Sequence, residues 1–269
     1  MSRVLSGRTV VVAGSTSAAG VAVVRTLSDA GARVAAVDIL EDRVQELAGA
    51  YDNVTGYACN LADLQAVEEL ANSVRNDLGP VDGLVHLVGG WRGGTGIQGQ
   101  TDEDWDFLHT SVLTTLRNTS RAFYDDLAAS SAGRLAIVSA QSASSPTAGG
   151  AAYAAVKSAA EAWTLAVADG FRELQGGKES PLPSQHSAAL VFVVKALVDD
   201  RMRAAQPERK FPGFTDVSVL ADAVERIFDL EAGQINGQRL PLTPDHIWSQ
   251  RPCAPSPAAA LGALSSTHR

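Results

Sequence analysis

Short apolar runs rich in β-branched residues alternate along this chain with longer amphipathic segments, and that alternation leaves few folds open. Residues 9–13, 33–39, 54–59, 84–88, 135–139, 188–194 and 238–242 read as strands. Residues 20–29, 41–50, 64–78, 103–129, 151–174 and 216–230 read as helices. Strands alternating with helices require right-handed crossovers, and therefore a parallel sheet with helices on both faces. The strand runs show little polar alternation, as strands buried on both sides require. The expected class is α/β: a three-layer, doubly wound sheet of about seven parallel strands, ordered 3-2-1-4-5-6-7.

A chain of 269 residues suits one large domain, here 1–248, with a tail at 249–269 rich in Ala, Pro and Ser. Residues 176–186 form a polar, Pro-containing loop. A net charge of −8 without a basic stripe argues against nucleic acid or an anionic membrane as partner. Cys59 and Cys253 lie far apart and have neither metal nor redox spacing. No metal is expected, and a reducing cytoplasm is the simplest setting. The N-terminus carries no signal-peptide pattern, and the longest apolar stretch, Ala188–Val194, ends at Lys195 and is too short to cross a bilayer. The expected partner is a small-molecule substrate.

The first strand runs into Gly14-Ser15-Thr16-Ser17-Ala18-Ala19-Gly20. Glycines at a strand-to-helix turn let the backbone approach a pyrophosphate, whose charge the helix N-terminus stabilises. Ala18 stands where the middle glycine of the usual pattern would be. Asp38 ends the second predicted strand, where a carboxylate accepts from adenosine ribose hydroxyls and repels a 2′-phosphate. With no Arg between Ser15 and Ala19, the expected cofactor is NAD(H) over NADP(H). Tyr153 and Lys157 lie four apart on a predicted helix and so share a face. A cation near a phenol favours phenolate and moves its pKa toward the working range of a general acid/base.

Through the Gly turn, Asp38, Asn60, the Gly89 region and Tyr153/Lys157, residues 7 to 245 resemble the short-chain dehydrogenase/reductase family, built on the Rossmann-type fold. The resemblance implies that Tyr153 is the acid/base and that Lys157 holds the nicotinamide ribose and lowers the Tyr pKa. It implies cofactor contacts from Gly14, Ser15, Ser17, Ala18, Ala19, Gly20, Asp38, Asn60, Leu61, Gly89, Gly90, Lys195 and Val198. Asn60 either bonds adenine or merely ends a strand. The family also uses a Ser to orient the substrate oxygen and a helical Asn to support a proton-relay water. Here those positions are Ala140 and Val112. Ser139 and Ser142 flank Ala140, and Ser142, past the strand end, is the better substitute. Lys195-Ala196 and Asp200 replace the usual Pro-Gly and Thr. Lys195 either faces the nicotinamide or joins Asp199 and Asp200 in a solvated loop.

Within the family, the run Gly89-Gly90-Trp91-Arg92-Gly93-Gly94 is similar to a segment of the quinonoid dihydropteridine reductase-like branch, as is Leu242-Thr243-Pro244. That branch also carries Ala in place of the Ser, lacks the helical Asn and prefers NADH. The implied substrate is small and cyclic, pterin-like, lying against Ala140, Tyr153 and Trp91. Trp91 offers a flat stacking surface; the bland alternative is a ring capping the core. The loop from Gly93 to Gly99 is either a plain connector or a lid, and His86 reads as a satisfied core histidine. Two other functions stay open: a ketone or alcohol dehydrogenase using Ser142 or Ser139, and a non-redox dinucleotide sensor. Small residues along 151–174 favour close helix pairing, and the family implies a homodimer or homotetramer.

Overall fold

The computed structural model describes residues 4–176 and 185–243; the predicted tail, Pro244 and residues 177–184 of the polar loop lie outside these. The described strands are β1 (Thr9–Ala13), β2 (Arg33–Asp38), β3 (Val54–Ala58), β4 (Gly83–His86), β5 (Arg134–Ala140), β6 (Ala188–Val194), β7 (Leu197–Val198), β8 (Thr215–Asp216) and β9 (Arg239–Pro241). A seven-stranded sheet takes the order β3-β2-β1-β4-β5-β6-β9, with every pairing parallel. This is the predicted order, with β9 as the seventh strand. The ladder β7-β8 was not predicted, because two-residue strands leave no periodicity to read.

The helices are α1 (Ala18–Asp29), α2 (Glu41–Ala48), α3 (Leu64–Leu78), α4 (Asp102–Leu108), α5 (Thr115–Ala129), α6 (Ala151–Gln175), α7 (Asp200–Ala205), α8 (Val217–Arg226) and α9 (Ala232–Ile235). Alternate strand residues face opposite layers. Val10, Val12, Val34 and Ala36 pack against Val23 and Leu27 of α1 and Leu220 and Val224 of α8. Val11, Ala13, Ala35 and Val37 pack against Val67 and Leu70 of α3, Phe123 of α5 and Phe171 of α6. Sheet and two helical layers thus share one fold, and β1 owes its fully buried run of five residues to covering on both faces.

Where prediction and structure differ, the reasons are local. The long helix expected over 103–129 is broken between α4 and α5 by a π-helical turn, His109–Thr114. Its amphipathic pattern runs on through the turn, so sequence periodicity alone does not show the break. The helix expected from 216 begins at Val217, because Asp216 stays extended and its carboxylate accepts from Ser218 N at 2.9 Å. Arg134, at the start of β5, is almost fully buried and donates to the carbonyls of Gly133, His186, Ile227 and Leu230. Burial pushes its guanidinium down to about 10. Those carbonyls replace the water it has lost, and they tie β5 to the end of α8.

Candidate active site

In this strand order the chain builds outward from β1 to β3, then returns to start β4 on the other side of β1. The loops leaving β1 and β4 diverge there and open a crevice at the carboxyl ends of the strands. A cavity of about 930 Å³ fills one side, lined by the residues after β1, β4, β5 and β6. A second, of about 730 Å³, lies by the ends of β2 and β3. Ser17, Leu87, Val88 and Gly89 border both, so the two form one crevice.

The Gly turn is built for close backbone approach. Gly14 has φ 85°, and a Cβ there would lie 3.0 Å from the Leu87 carbonyl carbon and Val88 N. A Cβ on Gly20 would lie 2.2 Å from Gly14 O. Ser17 caps α1: its hydroxyl accepts from Gly20 N at 3.0 Å and donates to Gly14 O at 2.9 Å. Ala18 is the first residue of α1. Its backbone is helical, so the missing glycine costs no strain, and Ala18 and Ala19 line the larger cavity. Ser15, expected to touch the cofactor, is buried and borders neither cavity, and its Oγ has no hydrogen-bond partner among the described residues. A backbone cradle at a helix N-terminus, kept open by glycines that leave no room for a Cβ, fits a dinucleotide pyrophosphate.

Asp38 borders the second cavity and also braces the turn. One carboxylate oxygen accepts from Thr16 N at 3.1 Å and Thr16 Oγ1 at 2.7 Å, the other from Ile39 N at 2.8 Å. Arg43, not predicted, lines the same cavity from the first turn of α2. Asn60 accepts from Ala62 N at 3.1 Å, so its side chain closes a turn as well as bordering the cavity. Leu61 is buried. Asn118 was missed in the sequence: buried on α5, it donates to the carbonyls of Leu61 and Ala62 at 3.0 and 3.1 Å and so fixes the cavity floor. Its buried face of α5 also carries Thr115, Thr119 and Ser120, so the sequence pattern did not single it out.

Tyr153 and Lys157 lie on the first turns of α6, against the larger cavity. Lys157 is buried and donates to Val138 O at 2.9 Å, with its ammonium 5.8 Å from the centroid of the Tyr153 ring. Burial pulls its pKa down to about 8, against the opposing field of the Glu161 carboxylate. Glu161 is held by Arg239 at 2.7 Å. Burial pushes the Tyr153 phenol up. The downward move expected from Lys157 therefore does not prevail here: the ammonium is turned to the Val138 carbonyl, and desolvation of the phenolate wins. Gly89 lies beside the ammonium, its Cβ position 3.8 Å from Lys157 Nζ and 3.6 Å from Val112 Cγ2. Gly90 leaves room for the Phe107 ring.

Ala140 ends β5 with its side chain buried at the cavity wall. Ser139 and Ser142 line the same cavity, and both hydroxyls are buried without a partner among the described residues. The strand ends at Ala140 and turns into a short 3-10 segment, and residues on both sides of that turn border the cavity. Trp91 is 69 % exposed at the mouth, so it does not cap the core. Lys195 borders the cavity, but its ammonium reaches Pro212 O at 3.0 Å and lies 5.8 Å from the Phe214 ring. That turns its charge away, toward a loop absent from the predicted elements. Val198 is buried in β7, Asp199 caps α7 and Asp200 is paired with Arg203. His86 sits between Thr115 Oγ1 at 3.2 Å and Thr119 Oγ1 at 3.1 Å. Burial and the Lys157 ammonium lower its pKa to about 3, so it is neutral.

Among the described residues no helix is long and apolar enough to cross a membrane, and no group of His, Cys, Asp and Glu is arranged to hold a metal. Known proteins share this architecture. The chain is 30% identical to 2,3-dihydro-2,3-dihydroxybenzoate dehydrogenase of Bacillus subtilis over 164 residues, 60% of this chain and 62% of that protein. It is 25% identical to a 3-oxoacyl-acyl-carrier-protein reductase of Vibrio cholerae over 237 residues, 88% of this chain and 96% of that one. A short chain dehydrogenase structure from Pseudomonas syringae superposes with a TM-score of 0.76 at 22% identity, covering 90% of this chain and 98% of that one. NAD+-bound xylitol dehydrogenase does so with 0.73 at 16% identity, covering 89% and 98%. Residues 8–175 match the short chain dehydrogenase family, a span that takes in the Gly turn, Asp38, Tyr153 and Lys157, and the chain belongs to that family.

Proposed function

We propose that the chain is an NADH-dependent reductase of a small cyclic, pterin-like substrate, with Tyr153 as proton donor. The observation that carries this reading is the cavity in which Tyr153 and the exposed Trp91 border one space while Ala140 leaves no hydroxyl at the usual position. A bound reduced nicotinamide would supply the hydride. The Gly14–Gly20 cradle would hold the pyrophosphate, Asp38 the adenosine ribose and Lys157 the nicotinamide ribose. Tyr153 Oη would give its proton to the substrate atom nearest it. The raised phenol pKa keeps that proton in place at neutral pH, which suits a donor rather than a base. Trp91 supplies a flat, apolar face, worth about 0.5–1.5 kcal/mol beyond area burial. A pterin spreads its charge over ring nitrogens, so a dedicated hydroxyl donor matters less than for a carbonyl. The ring substrate in the name of the Bacillus relative agrees with a cyclic substrate. We also propose a homodimer or homotetramer, because α6 carries small residues on several faces.

One observation favours a second reading. Ser142 borders the cavity and its buried Oγ has no hydrogen-bond partner among the described residues, so turning it toward the cavity to orient a carbonyl oxygen would break no existing bond. The Vibrio relative, by its name, reduces a ketone. The test begins with fluorescence titrations against NADH and NADPH, followed by turnover of a quinonoid dihydropterin and of simple ketones. Ala140→Ser should raise ketone reduction and leave pterin reduction little changed, whereas Ser142→Ala should abolish ketone reduction only. Binding of neither dinucleotide would overturn both readings and favour a non-redox role.

A further inference from the structure

The loop that carries Trp91 is fastened at both ends. At its start, Arg92 lies 4.3 Å over the Phe107 ring and 3.5 Å from the Asp104 carboxylate, both on α4. At its end stands Gln100, half-buried, whose amide is used in two directions. Nε2 donates to Gly96 O at 3.1 Å and to Gly149 O at 3.2 Å. Oε1 accepts from Ala152 N at 3.1 Å. Ala152 precedes Tyr153 in the first turn of α6, and that helix has no cap of its own, since its flanking residue is Gly150. Gln100 therefore supplies, from the loop, the acceptor that the catalytic helix lacks. A backbone bond from Gly94 N to Gly149 O at 2.8 Å completes the seam. The fit is tight: a Cβ on Gly94 would lie 2.1 Å from Gly99 O, and one on Gly93 would lie 2.7 Å from the Trp91 ring.

We propose that Gln100 is a positioning residue: it locks the Trp91 loop to the start of α6 and so sets the spacing between Trp91 and Tyr153. The consequence for substrate rests on the reading that a planar substrate lies between these two side chains. A ring held between two walls binds well only if their separation is fixed beforehand, because ordering a loose loop on binding costs affinity.

Gln100→Glu separates the two uses of the amide. A carboxylate still accepts from Ala152 N–H, at a helix end that favours negative charge. It has no N–H to donate, and it faces the Gly96 and Gly149 carbonyls. Hydrogen exchange on the full chain should show amides of residues 93–100 exchanging about tenfold faster in Q100E, equivalent to about 1.4 kcal/mol, with the start of α6 unchanged. Gln100→Ala should speed exchange in both segments. NADH affinity should stay within about twofold in Q100E, while KM for a quinonoid dihydropterin rises about fivefold at nearly constant kcat. Unchanged loop exchange in both variants would overturn the proposal, as would a loosened loop with unaltered KM. If the wild-type chain reduces neither dihydropterin nor ketone, the functional reading above fails, and the exchange comparison still decides whether Gln100 holds the loop.

Discussion

Lys157 carries a charge that the fold disfavours, and the cost should be measurable as a pH-dependent stability. The residue is 9 % exposed, its ammonium has one carbonyl partner in the described structure, and its pKa falls from the ordinary 10.5 to about 8. A displacement of that size corresponds to about 3 kcal/mol of penalty on the charged form. Below about pH 8 folded and unfolded chains both hold the proton, and the folded state bears the full penalty. Between about pH 8 and 10.5 the unfolded chain keeps a proton that the folded chain has released, so stability rises with pH there. Lys157→Met removes the titrating group while roughly keeping its length and flexibility. The measurement is urea unfolding of the Tyr153→Phe single variant and the Tyr153→Phe/Lys157→Met double variant, the shared Phe removing the neighbouring phenol. The stability of the single variant relative to the double variant should climb by about 3 kcal/mol from pH 7 to pH 10.5. Loss of the Val138 partner shifts the whole curve but leaves its slope. A flat difference would mean that Lys157 is hydrated; a falling one would mean that an anion holds it charged. In either case the account of its depressed pKa is wrong.

Other outcomes follow from the same geometry. Tyr153→Phe should lower reduction by at least about a hundredfold with NADH affinity intact, as read by single-turnover absorbance and fluorescence titration. Gly20→Ala drives a methyl into Gly14 O, so NADH binding should be lost and the thermal midpoint should drop, both measurable on one sample. Asp38→Ala removes the charge that opposes a 2′-phosphate and leaves Arg43 in the same cavity, so the NADPH-to-NADH preference should rise at least about tenfold, scored by paired titrations. That variant also loses the brace on Thr16, so NADH affinity itself should fall. Reduction by wild-type enzyme should hold level through neutral pH and decline above about pH 8 as Lys157 loses its proton, a profile that a pH–rate series checks.

Sheet order, the Gly turn, Asp38 and the Tyr153–Lys157 pair were all legible in the chain because each depends on local periodicity or fixed spacing. A run such as Thr9–Ala13 specifies a doubly covered strand whatever lies around it, and a four-residue spacing shares a helix face wherever that helix goes. Features that depend on contacts between distant segments were hidden. The π-helical turn at His109–Thr114 leaves the amphipathic pattern intact, so nothing in the sequence marks it. Ser139 and Ser142 border one cavity because β5 ends at Ala140 and the chain turns there. For Lys195 the sequence left open a place beside the nicotinamide or in a solvated loop with Asp199 and Asp200, and only the fold shows that Pro212 and Phe214 take its charge. Gln100 is an ordinary loop residue until the fold brings Gly149 and Ala152 to its amide. Spacing also placed a cation beside the Tyr153 phenol, but not the direction of its pKa, which burial sets. Sequence alone thus determined the layers, the strand order and which residue types share the crevice, because these follow from short-range pattern. Only the tertiary structure decided how that crevice is charged, hydrated and held, because desolvation and hydrogen bonding depend on groups brought together from far along the chain.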